Sequence, residues 1–276
     1  MVRRTFEIGG TDTVNRLGFG AMRLCGPDVL GEPEDVDGAR RVLERAVELG
    51  VDLIDTADAY GPGTSERLIG GTLDATRDDL LIATKGGLLR NRDGDWLPMG
   101  DPDYLRNAHL CSRDRLGVET IDLYQLHRPD PDTLFEDSVR ALAELKDAGA
   151  VRHVGLSNVS VEQLERARDV VEIAAVQNRY NAGNREEGDV LDACEEYGIG
   201  FIPWFPLGAG DLGDVAGLDA VADARGATRE GVALAWLLHR SPVVLPIPGT
   251  SSREHLAANV AAADIELTDD ELARLA

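Results

Sequence analysis

Lysine is nearly absent from this chain. Among 276 residues only Lys85 and Lys146 carry an ammonium, against 50 aspartates and glutamates, and the formal net charge is −22. A surface this acidic repels phosphate backbones and anionic lipids, so neither nucleic acid nor a membrane surface is expected as a partner. The excess fits a high-salt habitat, where screening removes self-repulsion, and equally an ordinary soluble acidic protein. Cysteine is scarce as well. Cys25, Cys111 and Cys194 are odd in number and far apart, which excludes a disulfide framework and a metal-ligand pattern. Free thiols in a reducing cytoplasm are the expectation. No apolar run approaches the ~20 residues a membrane helix needs. The "RRTF" start (3–6) resembles a twin-arginine signal, but polar "EIGGTDTVNRLG" follows it, so no export is read. The sequon "NVS" at Asn158 has no meaning without secretion.

What is present is alternation. The hydrophobic share of 43% supports a sizeable core, and barrels of ~250 residues commonly form one domain. Eight strand-like runs occur: "RLGFG" (16–20), "VDLID" (51–55), "LLIAT" (80–84), "IDLYQL" (121–126), "VRHVGLS" (151–157), "AAVQN" (174–178), "IGFIP" (199–203) and "VVLPI" (243–247). Helical periodicity fills segments between them, at 36–49, 133–148 and 160–171, with stops at Gly50 and Gly149. Apolar strands alternating with helices argue for an α/β fold with a parallel sheet covered by helices, and eight units match a closed (β/α)8 TIM barrel. "TFEIGG" returning through "DTVNR" predicts an extra N-terminal β-hairpin at the barrel bottom. No linker interrupts the pattern, so residues 1–276 are read as a single domain.

In such barrels reactive side chains stand where strands run out into loops. "VDLIDTADAY" ends a core strand in Asp55 and Asp58, with Tyr60 just beyond. A carboxylate there needs a cation, and the neighbouring strand supplies Lys85 ("IATKGG"), while the next ends in His127 ("LYQLHRPD"). An ammonium ~4 Å from a phenol favours the phenolate by ~4 kcal/mol, roughly three pKa units, which would bring Tyr60 toward the range of a general acid. His127 would donate a hydrogen bond to a carbonyl. Taken singly, each has a plainer reading: a cap, a turn aromatic, a solvated strand end, a loop histidine. On successive strands of one barrel they read as a site, with a proton donor facing a carbonyl oxygen and the nucleophile for carbon still missing.

The motifs "VDLIDTADAYG", "ATKGG" and "IDLYQLHRPD" resemble the aldo-keto reductase superfamily, whose tetrad is Asp, Tyr, Lys and His at these places. The resemblance runs from about Arg16 to Asn259. It implies carbonyl reduction on a (β/α)8 barrel without metal, with hydride from NADPH (NADH being the alternative) and Tyr60 protonating the alkoxide. It implies Ser157 and Asn158 ("GLSN") and Gln177 ("VQN") at the nicotinamide carboxamide. Trp204 ("PWFPLGAG") is expected to stack on the nicotinamide, and Leu207 and Gly208 to offer backbone to the pyrophosphate. "IPGTSSREHLAAN" implies an adenosine-phosphate site made by Gly249, Thr250, Ser251, Arg253 and Asn259. Many relatives carry lysine where Gly249 stands and arginine where His255 stands, both for the 2′-phosphate, so Arg253 is the substitute expected here. Taken singly again, Trp204 reads as a core aromatic, Ser157 and Asn158 as a helix cap, and Arg253 as a surface charge.

The segment after the seventh strand is short, and the sequence stops at Ala276 without a long tail. An open site, weak discrimination and fast cofactor exchange are therefore expected. Met22, Trp96 and Arg128 are the candidates for shaping the pocket. The expected substrate is a small carbonyl, pyridoxal among others, and the expected state is a cytoplasmic monomer. Two other functions fit the same residues. One is a lyase or aldolase using an uncharged Lys85 as Schiff base; the other is a non-catalytic nicotinamide-binding regulatory subunit.

Overall fold

The structure is a computed structural model that describes residues 4–275. Arg3 of the "RRTF" start and Ala276 lie outside the described residues. The chain opens with a hairpin, β1 (Thr5–Ile8) and β2 (Asp12–Asn15), followed by β3 (Phe19–Gly20). Helix α1 (Val36–Glu48) leads to β4 (Leu53–Asp55), and α2 (Thr64–Thr72) leads to β5 (Leu81–Gly86). A second hairpin, β6 (Leu88–Arg90) with β7 (Trp96–Pro98), rises directly from β5. Then come α3 (Pro102–Leu116), β8 (Ile121–Leu126), α4 (Phe135–Asp147), β9 (Val151–Ser157) and α5 (Val161–Arg168). The remainder is β10 (Ile173–Gln177), α6 (Gly188–Tyr197), β11 (Gly200–Phe201), α7 (Leu218–Arg225), α8 (Arg229–Arg240), α9 (Arg253–Ala261) and α10 (Asp269–Arg274). No helix among the described residues is long and apolar enough to cross a membrane.

Seven strands pair in the order β3-β4-β5-β8-β9-β10-β11, and every pairing is parallel. Their residues are buried almost throughout, because the barrel interior covers one face and helices the other. The predicted eighth strand forms no ladder. It nevertheless closes the cylinder. Phe201 N–H donates to Val243 O at 2.8 Å, Leu245 N–H to Phe201 O at 2.8 Å, and Gly18 N–H to Pro246 O at 2.9 Å. Pro246 and Pro248 have no N–H, so this run cannot donate along its length and the seam stays thin. The (β/α)8 barrel read from the sequence is thus the fold, with its last strand reduced to bridges.

The N-terminal hairpin sits at the strand starts, as expected. Phe6, Ile8 and Val14 point into the core. On the outer side Asp12 accepts from Arg152 at 2.8 Å and meets His153 at 2.6 Å, at the beginning of β9. Asn15 N–H donates to Asp52 at 2.8 Å below β4. Gly50 and Gly149 follow their helices at φ 87° and 69°, a left-handed turn that glycine makes without a Cβ clash.

Candidate active site

At the opposite end, Asp55 closes β4, Lys85 lies one residue from the end of β5, and His127 follows β8 at once. Strand alternation aims Lys85 into the barrel and Thr84 outward, where its hydroxyl donates to Glu66 of α2 at 2.6 Å. After Asp55 the chain runs on along β5: Thr56 N–H donates to Ala83 O at 2.8 Å and Asp58 N–H to Lys85 O at 3.1 Å. A turn closed by Tyr60 N–H donating to Ala57 O at 3.1 Å sets the Tyr60 ring 5.1 Å from the Lys85 ammonium, and Gly61 and Gly63, at φ 64° and 77°, carry the chain on into α2.

Lys85 is fully buried. Its ammonium donates to Asp55 Oδ1 at 2.6 Å, to Thr56 O at 2.8 Å and, at the limit of a hydrogen bond, to Tyr60 Oη at 3.5 Å. The other Asp55 oxygen accepts from Gln177 at 2.8 Å and Gln125 at 3.4 Å. A buried pair survives only when its remaining polar atoms are satisfied in this way. Burial alone would discharge Lys85, but Asp55 and Tyr60 more than offset it and hold its pKa above the usual lysine value. A charged, paired Lys85 is the opposite of the free amine that Schiff-base chemistry requires.

Tyr60 corrects one expectation. Burial is the largest influence and pushes its pKa up, Lys85 pulls it down, and Asp55 pushes it up again. The net direction is upward, chiefly because the phenol is buried, and the carboxylate that holds Lys85 opposes its field there. Tyr60 therefore keeps its proton at neutral pH. His127 is driven well below the usual histidine value by burial, then by Lys85 and Arg128. A neutral imidazole still has one N–H to donate. Its ring lies 5.8 Å from that of Tyr60, and Trp96 lies 6.3 Å from Tyr60, both edge-on.

Behind Tyr60, Asp58 has one oxygen with no partner and the other 3.4 Å from the Tyr104 hydroxyl. Burial, then Glu66, pushes its carboxyl up to about 8.

Asp55, Tyr60 and His127 face one cavity of about 1270 Å³. They line its floor, with Lys85 just beneath. Ser157, Asn158, Gln177 and Trp204 line one wall, and Leu207, Gly249, Thr250, Ser251 and Asn259 extend it. Met22, Trp96 and Arg128 line the other side. Trp204 donates to Asn158 at 3.1 Å, and the Ser157 hydroxyl donates to Gln177 O at 2.7 Å. The cap of α5 is Ser160, so Ser157 and Asn158 are not its capping residues. Two expected residues stand apart. Gly208 is not in the lining, and its N–H already donates to Phe205 O at 2.9 Å. Arg253 is exposed at the start of α9 and is absent from the lining, whereas His255 is present.

Two arginines were missed. Arg23 lines the cavity, with its guanidinium 3.4 Å from Ala209 O. A Cβ at Gly249 would lie 3.7 Å from Arg23 Cγ and only 2.5 Å from Gly20 O, so a side chain at 249 has no room. The signal was a cation just after the first strand's end. Arg90 also lines the cavity, on the β6–β7 hairpin. The turn sequence "RDGD" between Leu89 and Trp96 was the available signal. Facing this hairpin, Asp28 and Val29 adopt φ 54° and 57°. Each left-handed L-residue costs roughly 1–2 kcal/mol, most plainly for the β-branched Val29.

Comparison with known proteins now decides the family. Residues 16–276 match the aldo/keto reductase family. This chain belongs to that family. It is 46% identical over 267 residues to an uncharacterised oxidoreductase of Schizosaccharomyces pombe, covering 96% of this chain and 87% of that protein. It is 43% identical over 282 residues to pyridoxine 4-dehydrogenase of Escherichia coli, covering 100% of this chain and 98% of that one. An aldo-keto reductase from Klebsiella pneumoniae, solved in complex with NADPH, superposes with a TM-score of 0.85 at 27% identity, covering 100% of this chain and 94% of the other.

Proposed function

We propose that this aldo/keto reductase chain is a single-domain NADPH-dependent reductase of small aldehydes and ketones, with pyridine aldehydes such as pyridoxal as the first substrates to try. The observation that carries the reading is the Asp55–Lys85–Tyr60 array at the floor of the cavity. A proton donor stands there beside a neutral histidine.

The cavity residues fit a nicotinamide dinucleotide. At about 1270 Å³ the space exceeds what a small carbonyl alone would need. Close to the floor stand Ser157, Asn158 and Gln177, side chains suited to a carboxamide, beside the Trp204 ring. Farther out lie the hydroxyls of Thr250 and Ser251 before the α9 N-terminus, a place that favours phosphate. Gly249 leaves the backbone bare. Arg23, rather than Arg253, is the cation within this part of the lining. The chemistry a bound reduced nicotinamide supplies is hydride delivery to the carbonyl carbon.

The chain's own residues handle the oxygen. His127 and Tyr60 orient it by hydrogen bonds, and Tyr60 gives its hydroxyl proton as negative charge develops there. Lys85 stabilises the resulting phenolate across the existing 3.5 Å contact. Asp55 keeps Lys85 charged and in place. Support for pyridoxal comes from the 43% identical Escherichia coli relative and from the aromatic wall formed by Trp96, Tyr60 and His127.

The test is consumption of NADPH and of NADH against a carbonyl panel that includes pyridoxal and 4-nitrobenzaldehyde, at low and high salt, with Tyr60→Phe in parallel. Turnover lost in the variant, with cofactor still bound, supports the reading. Binding without turnover on any carbonyl would leave a regulatory nicotinamide-binding subunit. No cofactor binding would sink both.

A further inference from the structure

Arg90 makes contacts that the proposed chemistry does not use. Its guanidinium lies 3.7 Å over the Trp96 ring, its cross-strand neighbour in the β6–β7 hairpin. Its N–H groups go to three carbonyls. Gly94 O accepts at 2.8 and 3.2 Å, Asp28 O at 2.8 Å and Val29 O at 3.1 Å. No carboxylate among the described residues forms an ion pair with it, although Asp28, Asp93 and Asp95 line the same cavity. The first of these carbonyls belongs to the hairpin itself. The other two belong to the loop 26–31, in the very residues held left-handed.

The Val29 carbonyl has a second donor. Gly61 N–H, the residue after Tyr60, reaches it at 3.1 Å. One carbonyl therefore joins three segments: the hairpin through Arg90, the loop 26–31, and the turn that carries Tyr60. The side chains of Val29 and Trp96 at this junction, together with Met22, pack against the buried cluster of Cys25, Ala57 and Tyr60.

We propose that Arg90 is a positioning residue that latches the β6–β7 hairpin to the loop 26–31, and so sets the substrate wall opposite Tyr60 and the fit for planar carbonyls. The proposal rests on reading the cavity as a reductase site. A planar guanidinium suits the task because it stacks on Trp96 while its fork bonds two consecutive carbonyls; lysine has neither property. Without it, an unfavourable backbone conformation loses its fastening and the wall becomes free to shift. The far wall, with Trp204, Gly249 and Thr250, is built on other strands and does not depend on the latch.

The experiment compares the wild-type chain with Arg90→Ala and with Arg90→Lys, which keeps the charge and stem should the alanine variant fold poorly. Hydrogen exchange is followed at the amides of Val29, Leu30 and Gly61, and kinetics are measured with pyridoxal, a short aliphatic aldehyde and NADPH. Expected are exchange at least about tenfold faster in that junction, as for loss of a hydrogen bond to a charged group, with α4 unchanged. The KM for pyridoxal should rise about fivefold or more on the same grounds, while the KM for NADPH and the kcat for the short aldehyde stay put, with Arg90→Lys in between. Unchanged exchange in both variants overturns the latch. Faster exchange with an unchanged pyridoxal KM overturns its role in setting the wall. A wild-type chain that binds NADPH but reduces nothing overturns the reductase reading, and the exchange result still decides whether Arg90 fastens the loop.

Discussion

The Lys85 ammonium lies 2.6 Å from Asp55 Oδ1, and neither side chain is more than 2% exposed. Removing one member leaves the other charged in a place water does not reach. Asp55→Asn should therefore destabilise the chain by about 3–5 kcal/mol in urea unfolding. The double variant Asp55→Asn/Lys85→Met should lose less than the two single losses added together, because the orphaned charge is gone. Additive losses would mean that the pair is not coupled.

Tyr60 has a different profile. Its hydroxyl has one long contact, so Tyr60→Phe should fold and bind NADPH like the parent while turnover falls roughly 10²–10⁴-fold, the usual share of a general acid. Steady-state rates beside cofactor titrations separate the two effects. A variant retaining more than half the rate would move the proton donor elsewhere.

Asp58 sets a pH dependence of stability. Its pKa is about 8 in the folded chain against 3.8 for an ordinary aspartate. Between these values the native state holds a proton that the unfolded state has released. The stability it contributes is full below pH 3.8 and is lost as pH rises through about 8. Asp58→Asn should flatten that decline and overtake the parent above pH 8 by at least ~1 kcal/mol, one pKa unit being worth about that much. Urea midpoints measured on both sides of pH 8 decide it, and parallel curves would rule Asp58 out.

Under the proposed function, Arg23 and Arg253 are rival candidates for binding the cofactor phosphates. Arg23→Ala should weaken NADPH binding about tenfold, the value of a charge-assisted hydrogen bond, and Arg253→Ala should change it little. Fluorescence titration of both variants gives the ranking, and the reverse order would restore Arg253.

Much of this was legible in the sequence. Parallel strands buried on both faces leave near-continuous apolar runs, which is why "IDLYQL" and "VRHVGLS" match β8 and β9 residue for residue. Strand-end polar residues such as Asp55 and Lys85 stand out against those runs. "VVLPI" misled because its apolar content marks a buried segment while its proline forbids a ladder. The sign of the Tyr60 shift was unreadable, since it depends on how deeply the phenol is buried and on Asp55 lying beside Lys85. Arg90 was hidden for a related reason: two of its partners are backbone carbonyls some sixty positions earlier, and carbonyls have no letter in a sequence.

Under the proposed function, the scarcity of lysine has a chemical consequence. Free amines condense with aldehydes, and a lysine-rich surface would slowly be decorated by an aldehyde substrate. Here Lys85 is sealed in the barrel, and Lys146 is largely covered and bonded to Glu172 at 2.8 Å. Arginine supplies every other side-chain cation apart from histidine, and its guanidinium is far less prone to form imines. The same feature makes the chain a poor target for amine-directed labelling or immobilisation, and a chain whose surface should tolerate high aldehyde concentrations.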